Sequence, residues 1–293
     1  MEKRVLMLLD HVKKYFAFIW SLLVLFAGLF TRTVAPVDAP NLEVVSNYHY
    51  IMDEALVMGQ GLANDGTYLY SSGAISALYL GALSKIDMNT GEILLRKINA
   101  IPKEFVKKGY DHIGDISWHN GLIYAPVEDL QEEQPLVLLY DAETLEYTGT
   151  YFELDNTYLP DGIPWCTVDA DNGYLYASPF KNVTCIVAFN LSDMSFSHII
   201  PLSEEITRVQ AADYFDGKLY VNLDTQGTGY KEIKVIDVNT GEVSLLAQRD
   251  MQGRDVETEG LTITRDENGK LLFHITDYDK TVSVYLRTYR LTD

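Results

Sequence analysis

Residues 64–73 read NDGTYLYSSG, and the same pattern returns as HNGLIYAPVE at 119–128, DNGYLYASPF at 171–180, FDGKLYVNLD at 215–224 and ENGKLLFHITD at 267–277. Each copy is a tight turn of Asn, Asp and Gly running into a strand with an aromatic anchor. The anchors Tyr70, Tyr124, Tyr176, Tyr220 and Phe273 stand 54, 52, 44 and 53 residues apart. Between them lies a second recurring half. It reads LSKIDMNTGEIL at 83–94, LLYDAETLEYTG at 138–149, VAFNLSDMSFSH at 187–198 and KVIDVNTGEVSL at 234–245. That half is a strand, a reversal rich in Asn, Thr, Gly and Asp, and another strand. A unit of about 50 residues holding four short strands is the blade of a β-propeller.

Working outward from the repeat, five units give an all-β, five-bladed β-propeller of the WD40- or YVTN-like repeat type. Helical periodicity is absent after residue 50. The fifth unit supplies three clear strands and ends at VSVYLRTYRL, residues 282–291. Residues 42–48, LEVVSNY, form a strand ahead of the first unit. Placing that strand on the outside of the last blade closes the ring. Closure leaves no open edge between blades, so a monomer is expected.

Ahead of the repeat, Tyr15 to Phe30 read YFAFIWSLLVLFAGLF without a charge. Lys3, Arg4, Lys13 and Lys14 precede the run and Arg32 follows it. A run near the ~17–25 residues of a membrane span, with basic residues before it, predicts a signal anchor with its N-terminus in the cytoplasm. The expected organisation is a basic cytoplasmic segment at 1–14, a transmembrane helix at 15–31, a tether at 32–41 and the propeller at 42–293. The protein would then be single-pass in the cell membrane with its propeller extracytoplasmic. Cleavage after the apolar run would make it secreted instead.

The formal net charge is −19, and beyond residue 35 there are 18 basic against 40 acidic residues, a net of −22. Such a surface repels phosphate backbones and anionic lipid. Nucleic acid is excluded as a partner, and membrane contact is expected through the N-terminal helix only. The cysteines, Cys166 and Cys185, fall on strands one and three of one blade, roughly 9–10 Å apart. A disulfide needs Cα atoms within about 7 Å, so two buried thiols are expected.

The turns between strands one and two and between strands three and four are short, which puts the long connections at the opposite face, the top. Long loops on a rigid scaffold are where function gathers. Five inner-strand starts line that end of the channel: 58–61 (MGQG), 112–115 (HIGD), 164–166 (PWC), 209–212 (VQAA) and 257–260 (ETEG). Gly61, Gly114, Ala211 and Gly260 leave room for close packing at the axis. Gln60, Trp165 and Gln210 are the candidate ligand-binding residues, two amides that pair with a ligand's donors and acceptors and one ring that stacks or wedges. His112, Asp115 and Glu259 are the candidate catalytic set, with His112 moving protons. Asp115, Glu257 and Glu259 are the candidate metal set, because a hard cation such as Ca²⁺ takes several oxygens. Asp277 and Asp279 read as solvated turn residues, and Glu128, Asp129, Glu132 and Glu133 as an exposed acidic loop. No GxSxG elbow, HExxH, P-loop or dinucleotide motif is present.

The stretch QGLANDGTYLYSSG followed by LSKIDMNTGEIL, within 60–94, resembles the first blade of the glutaminyl cyclotransferases, five-bladed propellers with a QGL element and a TGxV-like turn. That resemblance covers about one blade and carries over Gln60. The EGL element at 259–261 is similar to calcium-dependent lactonase and esterase propellers. The PW, VQ-A and EGL set resembles secreted propellers with a quinoprotein-like or YVTN-like ring. The expected function is therefore binding of a small molecule, glycan or peptide at the top-face channel. The alternatives are a Ca²⁺-assisted lactone or ester hydrolase and a glutaminyl cyclotransferase-like enzyme.

Overall fold

A computed structural model describes residues 38–51, 53–75, 80–129, 134–225, 230–252, 255–279 and 283–292. The segments expected to form the cytoplasmic arm (1–14) and the membrane anchor (15–31) lie outside these, as does the tether up to residue 37. Among the described residues no helix is long and apolar enough to cross a membrane.

Five antiparallel sheets form the ring. Blade 1 is β2 (Gly61–Asn64), β3 (Tyr68–Ile75), β4 (Leu80–Asp87) and β5 (Ile93–Ile98). Blade 2 begins with an inner strand broken into β6 (Tyr110–Ile113) and β7 (Ser117–His119), then β8 (Leu122–Asp129), β9 (Leu136–Asp141) and β10 (Tyr147–Glu153). Blade 3 is β11 (Cys166–Asp169), β12 (Tyr174–Ala177), β13 (Val183–Asn190) and β14 (Phe196–Ile206). Blade 4 is β15 (Val209–Phe215), β16 (Lys218–Leu223), β17 (Tyr230–Asp237) and β18 (Val243–Asp250). Blade 5 is β19 (Val256–Arg265), β20 (Leu271–Asp279) and β21 (Ser283–Leu291), completed on its outside by β1 (Leu42–Ile51). The N-terminal strand thus closes the ring as its sequence predicts, from Leu42 opposite Leu291 to Ile51 opposite Ser283.

Local chemistry explains the blades. Asp87 accepts the N–H groups of Asn89 and Thr90 at 2.9 Å each, which folds the MNTG turn. Asp141 and Asp237 do the same with Glu143 and Thr144, and with Asn239 and Thr240. These Asx turns reverse the chain at fixed offsets, so the repeat in sequence is a repeat of turn chemistry.

The middle strands are buried on both faces because each face meets a different neighbour. In β9, Leu138 and Tyr140 join a cluster with Tyr70 and Leu83 of blade 1. Val137 and Leu139 join Cys166, Val168 and Leu175 of blade 3. A cluster of this kind fills each of the five gaps between blades. Successive side chains of a strand point to opposite faces, so an unbroken apolar run serves two interfaces. All five aromatic anchors are buried. Cys166 and Cys185 are free thiols, Cys166 buried and Cys185 half-buried, on the first and third strands of blade 3.

Candidate functional site

At the top of the channel the inner strands approach to backbone contact. A Cβ on Gly114 would lie 2.1 Å from the Pro164 carbonyl oxygen, and one on Gly260 would lie 2.6 Å from Leu62 N. One on Gly61 would meet Asp115 Cα at 2.5 Å. These glycines are required by proximity, which confirms the role read for small residues at the axis.

Above this constriction opens a cavity of about 380 Å³. Every blade or its entering loop contributes to it: Gln60 from blade 1, His112 and Glu128 from blade 2, and Asp161 and Phe180 around blade 3. Arg208 and Gln210 come from blade 4, and Glu257 and Glu259 from blade 5. Asp115 forms part of the floor. The inner strands carry bulges at these points. Register shifts occur between Tyr110 and His112, between Val209 and Ala211, and between Thr258 and Leu261. A bulge re-aims the side chain that it releases from the ladder. Gln210 and Glu259 are released at such breaks, while His112 stays paired with Glu128 just after the residue released in β6, Asp111.

The polar residues near the axis divide by whether their hydrogen-bonding capacity is already used. Asp115 is saturated. One oxygen accepts the Leu62 N–H at 2.7 Å and the other accepts the Ala212 N–H at 3.1 Å. Its backbone N–H donates to Pro164 O at 2.7 Å and its carbonyl accepts from Cys166 N at 3.2 Å. From blade 2 this single residue therefore holds blades 1, 3 and 4. Burial raises its pKa well above the carboxylate range, with Asp213 adding to the effect and the backbone donors opposing it. Asp213, lower in the channel, accepts from Ile263 N at 2.8 Å and from Thr262 Oγ1 at 3.0 Å, and burial lifts its pKa to about 6.

Trp165 is also committed. It is fully buried, its indole donates to Ser178 Oγ at 3.1 Å, and it packs between blades 3 and 4. It is absent from the cavity wall. Of the two readings left open for it, stacking on a ligand or wedging, its burial between blades accords with the wedge. Asp277 is corrected more sharply. Far from being solvated, it is fully buried between Arg249, at 2.9 Å, and Arg287, at 2.5 Å. Although burial opposes ionisation, these guanidinium groups hold its pKa below the usual range. Asp279 is buried as well. Glu128, read as part of an exposed loop, is half-buried in the cavity wall. Glu132 and Glu133, and the side chain of Asp129, lie outside what the structure describes.

His112, Gln210, Glu257 and Glu259 are different. Among the described residues their side chains make no hydrogen bond or ion pair, and all four face the cavity. Burial pushes the His112 pKa down to about 4, so the ring is neutral at physiological pH. Glu259 is only 4% exposed. Its pKa is raised well above the carboxylate range by burial, then by Glu257, Asp224 and Asp115, with Arg208 opposing. Its backbone is held in place: Asn222 donates to its carbonyl at 2.9 Å, and the following Gly260 N–H bonds Thr276 Oγ1 at 2.8 Å. Asn222 in turn belongs to the network of Arg249, Thr258 and Asp277. The catalytic set His112, Asp115 and Glu259 does share one cavity. Among the described residues, however, no group of three His, Cys, Asp or Glu side chains is arranged to hold a metal ion.

Sequence reading missed Arg208, Phe180 and Asp161. Arg208 pairs with Asp224 at 2.5 Å and lies over the Phe180 ring at 4.9 Å. Asp161 falls within a long loop, 155–162, whose length was itself the available signal.

No protein-family model matches this chain, and no curated protein matches it. Solved structures do. The structure titled RS223-Beta-xylosidase aligns with 83% of this chain and 94% of its own at 13% identity, with a TM-score of 0.57. A GH43_1 enzyme from Xanthomonas citri complexed with xylose aligns over 80% of this chain and 87% of its own at 11% identity, TM-score 0.53. A tail fibre of Staphylococcus aureus phage P68 aligns over 86% of this chain at 15% identity, TM-score 0.52, and the chain spans 52% of that fibre protein. At such identities the likeness is one of fold, and the expected glutaminyl cyclotransferase resemblance gains nothing from it.

Proposed function

We propose that the protein is a membrane-anchored, extracytoplasmic β-propeller whose top-face cavity binds a small saccharide unit. The observation that carries the reading is the convergence on one cavity of four polar side chains, His112, Gln210, Glu257 and Glu259, that have no partner among the described residues. Glu259 is buried and the other three are half-buried, and a buried polar group normally has a partner, so Glu259 at the cavity wall suits a ligand that supplies one. A sugar hydroxyl both donates and accepts, so it suits a carboxyl, an amide and a neutral imidazole together. The cavity's 380 Å³ lies at the small end of ligand sites. Two of the structural neighbours are titled for xylose or xyloside chemistry, which supports a sugar over a peptide.

The test is a thermal-shift and calorimetry screen of the full chain in detergent with xylose, glucose and their short oligomers. A ligand of the native state raises Tm in a saturable way. Gln210→Ala and His112→Ala are expected to weaken binding by about tenfold or more, about one lost hydrogen bond to a buried group each. If no sugar shifts Tm, the saccharide reading fails. Release of free sugar from aryl glycosides under the same conditions would add turnover to binding.

A further inference from the structure

The cavity gathers more acidic groups than its own cations can pair. Glu128, Asp161, Glu257 and Glu259 line it, with Asp115 beneath, and Arg208 is the cationic residue among the lining groups. Arg208 is already spent on Asp224, bonding its carboxylate at 2.5 Å and its carbonyl at 2.6 Å. Lys231 bonds the same carboxylate from the other side. Glu259 is nine-tenths buried, faces the cavity and has neither hydrogen bond nor ion pair among the described residues. Glu257, two residues away, is likewise without a partner among the described residues.

Removing a carboxylate from water is costly unless a counter-charge arrives with it. In the cavity that cost is compounded by like charge, since Glu257, Asp224 and Asp115 all act on Glu259 in the same direction. With only a neutral sugar bound, Glu259 keeps its proton and serves as a hydrogen-bonding acid, whereas an arriving cation lets it ionise and form an ion pair. Among the described residues no three His, Cys, Asp or Glu side chains gather around one point as a compact inorganic cation would favour. An organic cation carries its charge on a larger frame that fills the space and reaches Glu257 and Glu259 from one side.

We infer that the cavity selects a saccharide bearing a primary ammonium group, an amino sugar, with the ammonium between Glu257 and Glu259 and the ring hydroxyls on Gln210 and His112. This deepens the saccharide reading and rests on it. The −19 net charge of the chain favours arrival of such a ligand in the same sense.

Glucosamine, N-acetylglucosamine and glucose make the decisive probes, since they share a ring and differ in charge at one position. Binding is measured by calorimetry on the full chain. Glucosamine is expected to bind at least ~10-fold more tightly than either neutral sugar, in keeping with a buried charge pair. That advantage is expected to disappear in Glu259→Gln. If Glu259→Gln does not fold, Glu257→Gln takes its place and should reduce the advantage by several-fold. Equal binding of all three sugars overturns the amino-sugar inference and leaves the saccharide reading standing. No binding of any of them removes both. Saturable binding of Ca²⁺ alone, lost in Glu259→Gln, overturns the inference in favour of an inorganic cation.

Discussion

Asp115 and Glu259 belong to the same cavity and are both nearly inaccessible, yet their oxygens stand in opposite situations. Asp115 is filled by backbone donors from neighbouring blades, so its first task is to clasp the ring. Asp115→Ala should leave two or more buried N–H groups unsatisfied, at a cost of about 3 kcal/mol or more. Asp115→Asn keeps one acceptor oxygen and should cost about half as much. Urea denaturation of the two variants checks the order, and equal stability of wild type and Asp115→Ala would remove the clasp role. His274 offers a residue-scale prediction in pH. It is buried between Thr264 and Thr288, bonded at 2.8 and 3.0 Å, and burial pushes its pKa down to about 4. Unfolded histidine titrates near 6.5, so between about 4 and 6.5 the unfolded chain binds the extra proton. Stability from this site is therefore present above pH 6.5 and lost as the pH falls towards 4, by up to about 3 kcal/mol. Asp213, with its pKa raised to about 6, acts in the opposite sense, because the native state takes up its proton first on acidification. The two partly cancel in the wild type. The stability difference between wild type and His274→Gln isolates the histidine, and it should shrink by about 3 kcal/mol from pH 7.5 to 4.5.

At the scale of strands and turns, the parts that were legible in the sequence are those whose cause is local. The Asx turns at Asp87, Asp141 and Asp237 need only the next few residues, so the blades could be counted from the turn pattern. The inner-strand starts were legible for the same reason: Gln60, His112, Gln210, Glu257 and Glu259 interrupt otherwise apolar strands at matching points of the repeat. Asp277 was misread because its cause is distant. A Thr-Asp-Tyr-Asp stretch has turn composition, while the arginine that buries it, Arg249, comes from β18 of another blade. Trp165 was ambiguous because a strand start does not reveal which neighbour its ring meets. Gly114 shows how an element-level constraint can be tested. Its φ is unremarkable, so conformational freedom is not the issue. An added methyl would run into the Pro164 carbonyl at 2.1 Å. Gly114→Ala should push blades 2 and 3 apart at the axis and cost about 1–3 kcal/mol, the usual range for overpacking. Gly121→Ala is a poor control, because its φ of 79° is itself unfavourable for alanine. Ala125→Gly, in a middle strand of the same blade, separates the loss of a methyl from its addition. An unchanged melting temperature for Gly114→Ala would mean that the inner strands have room to separate.

For the whole molecule, the decisive fact is that the ring is closed by a strand from the other end of the chain. β1 pairs along its length with β21, and its tyrosines reach past blade 5 to the last reversal of blade 1, between β4 and β5. Tyr48 donates to Asn89 O at 2.6 Å and Tyr50 to Gly91 O at 2.7 Å. Tyr50 is also packed with Val284 and Leu286 of β21 and with Leu62 and Leu69 of blade 1. One strand thus seals both the outer edge of blade 5 and the seam between the first and last units. Without it β21 becomes an open edge beside exposed apolar surface, the condition that leads strands to pair between molecules. A chain lacking residues 1–51 should therefore lose its single cooperative transition and elute as aggregate in size-exclusion chromatography. A chain lacking only residues 1–37 keeps β1 and all of these contacts, and should elute as a monomer with the Tm of the full chain. The comparison separates closure from mere length, because both truncations leave the four complete blades untouched. If the 52–293 chain stayed monomeric with an unchanged Tm, the seam would not depend on β1, and the contacts of Tyr48 and Tyr50 would be incidental to the stability of the ring.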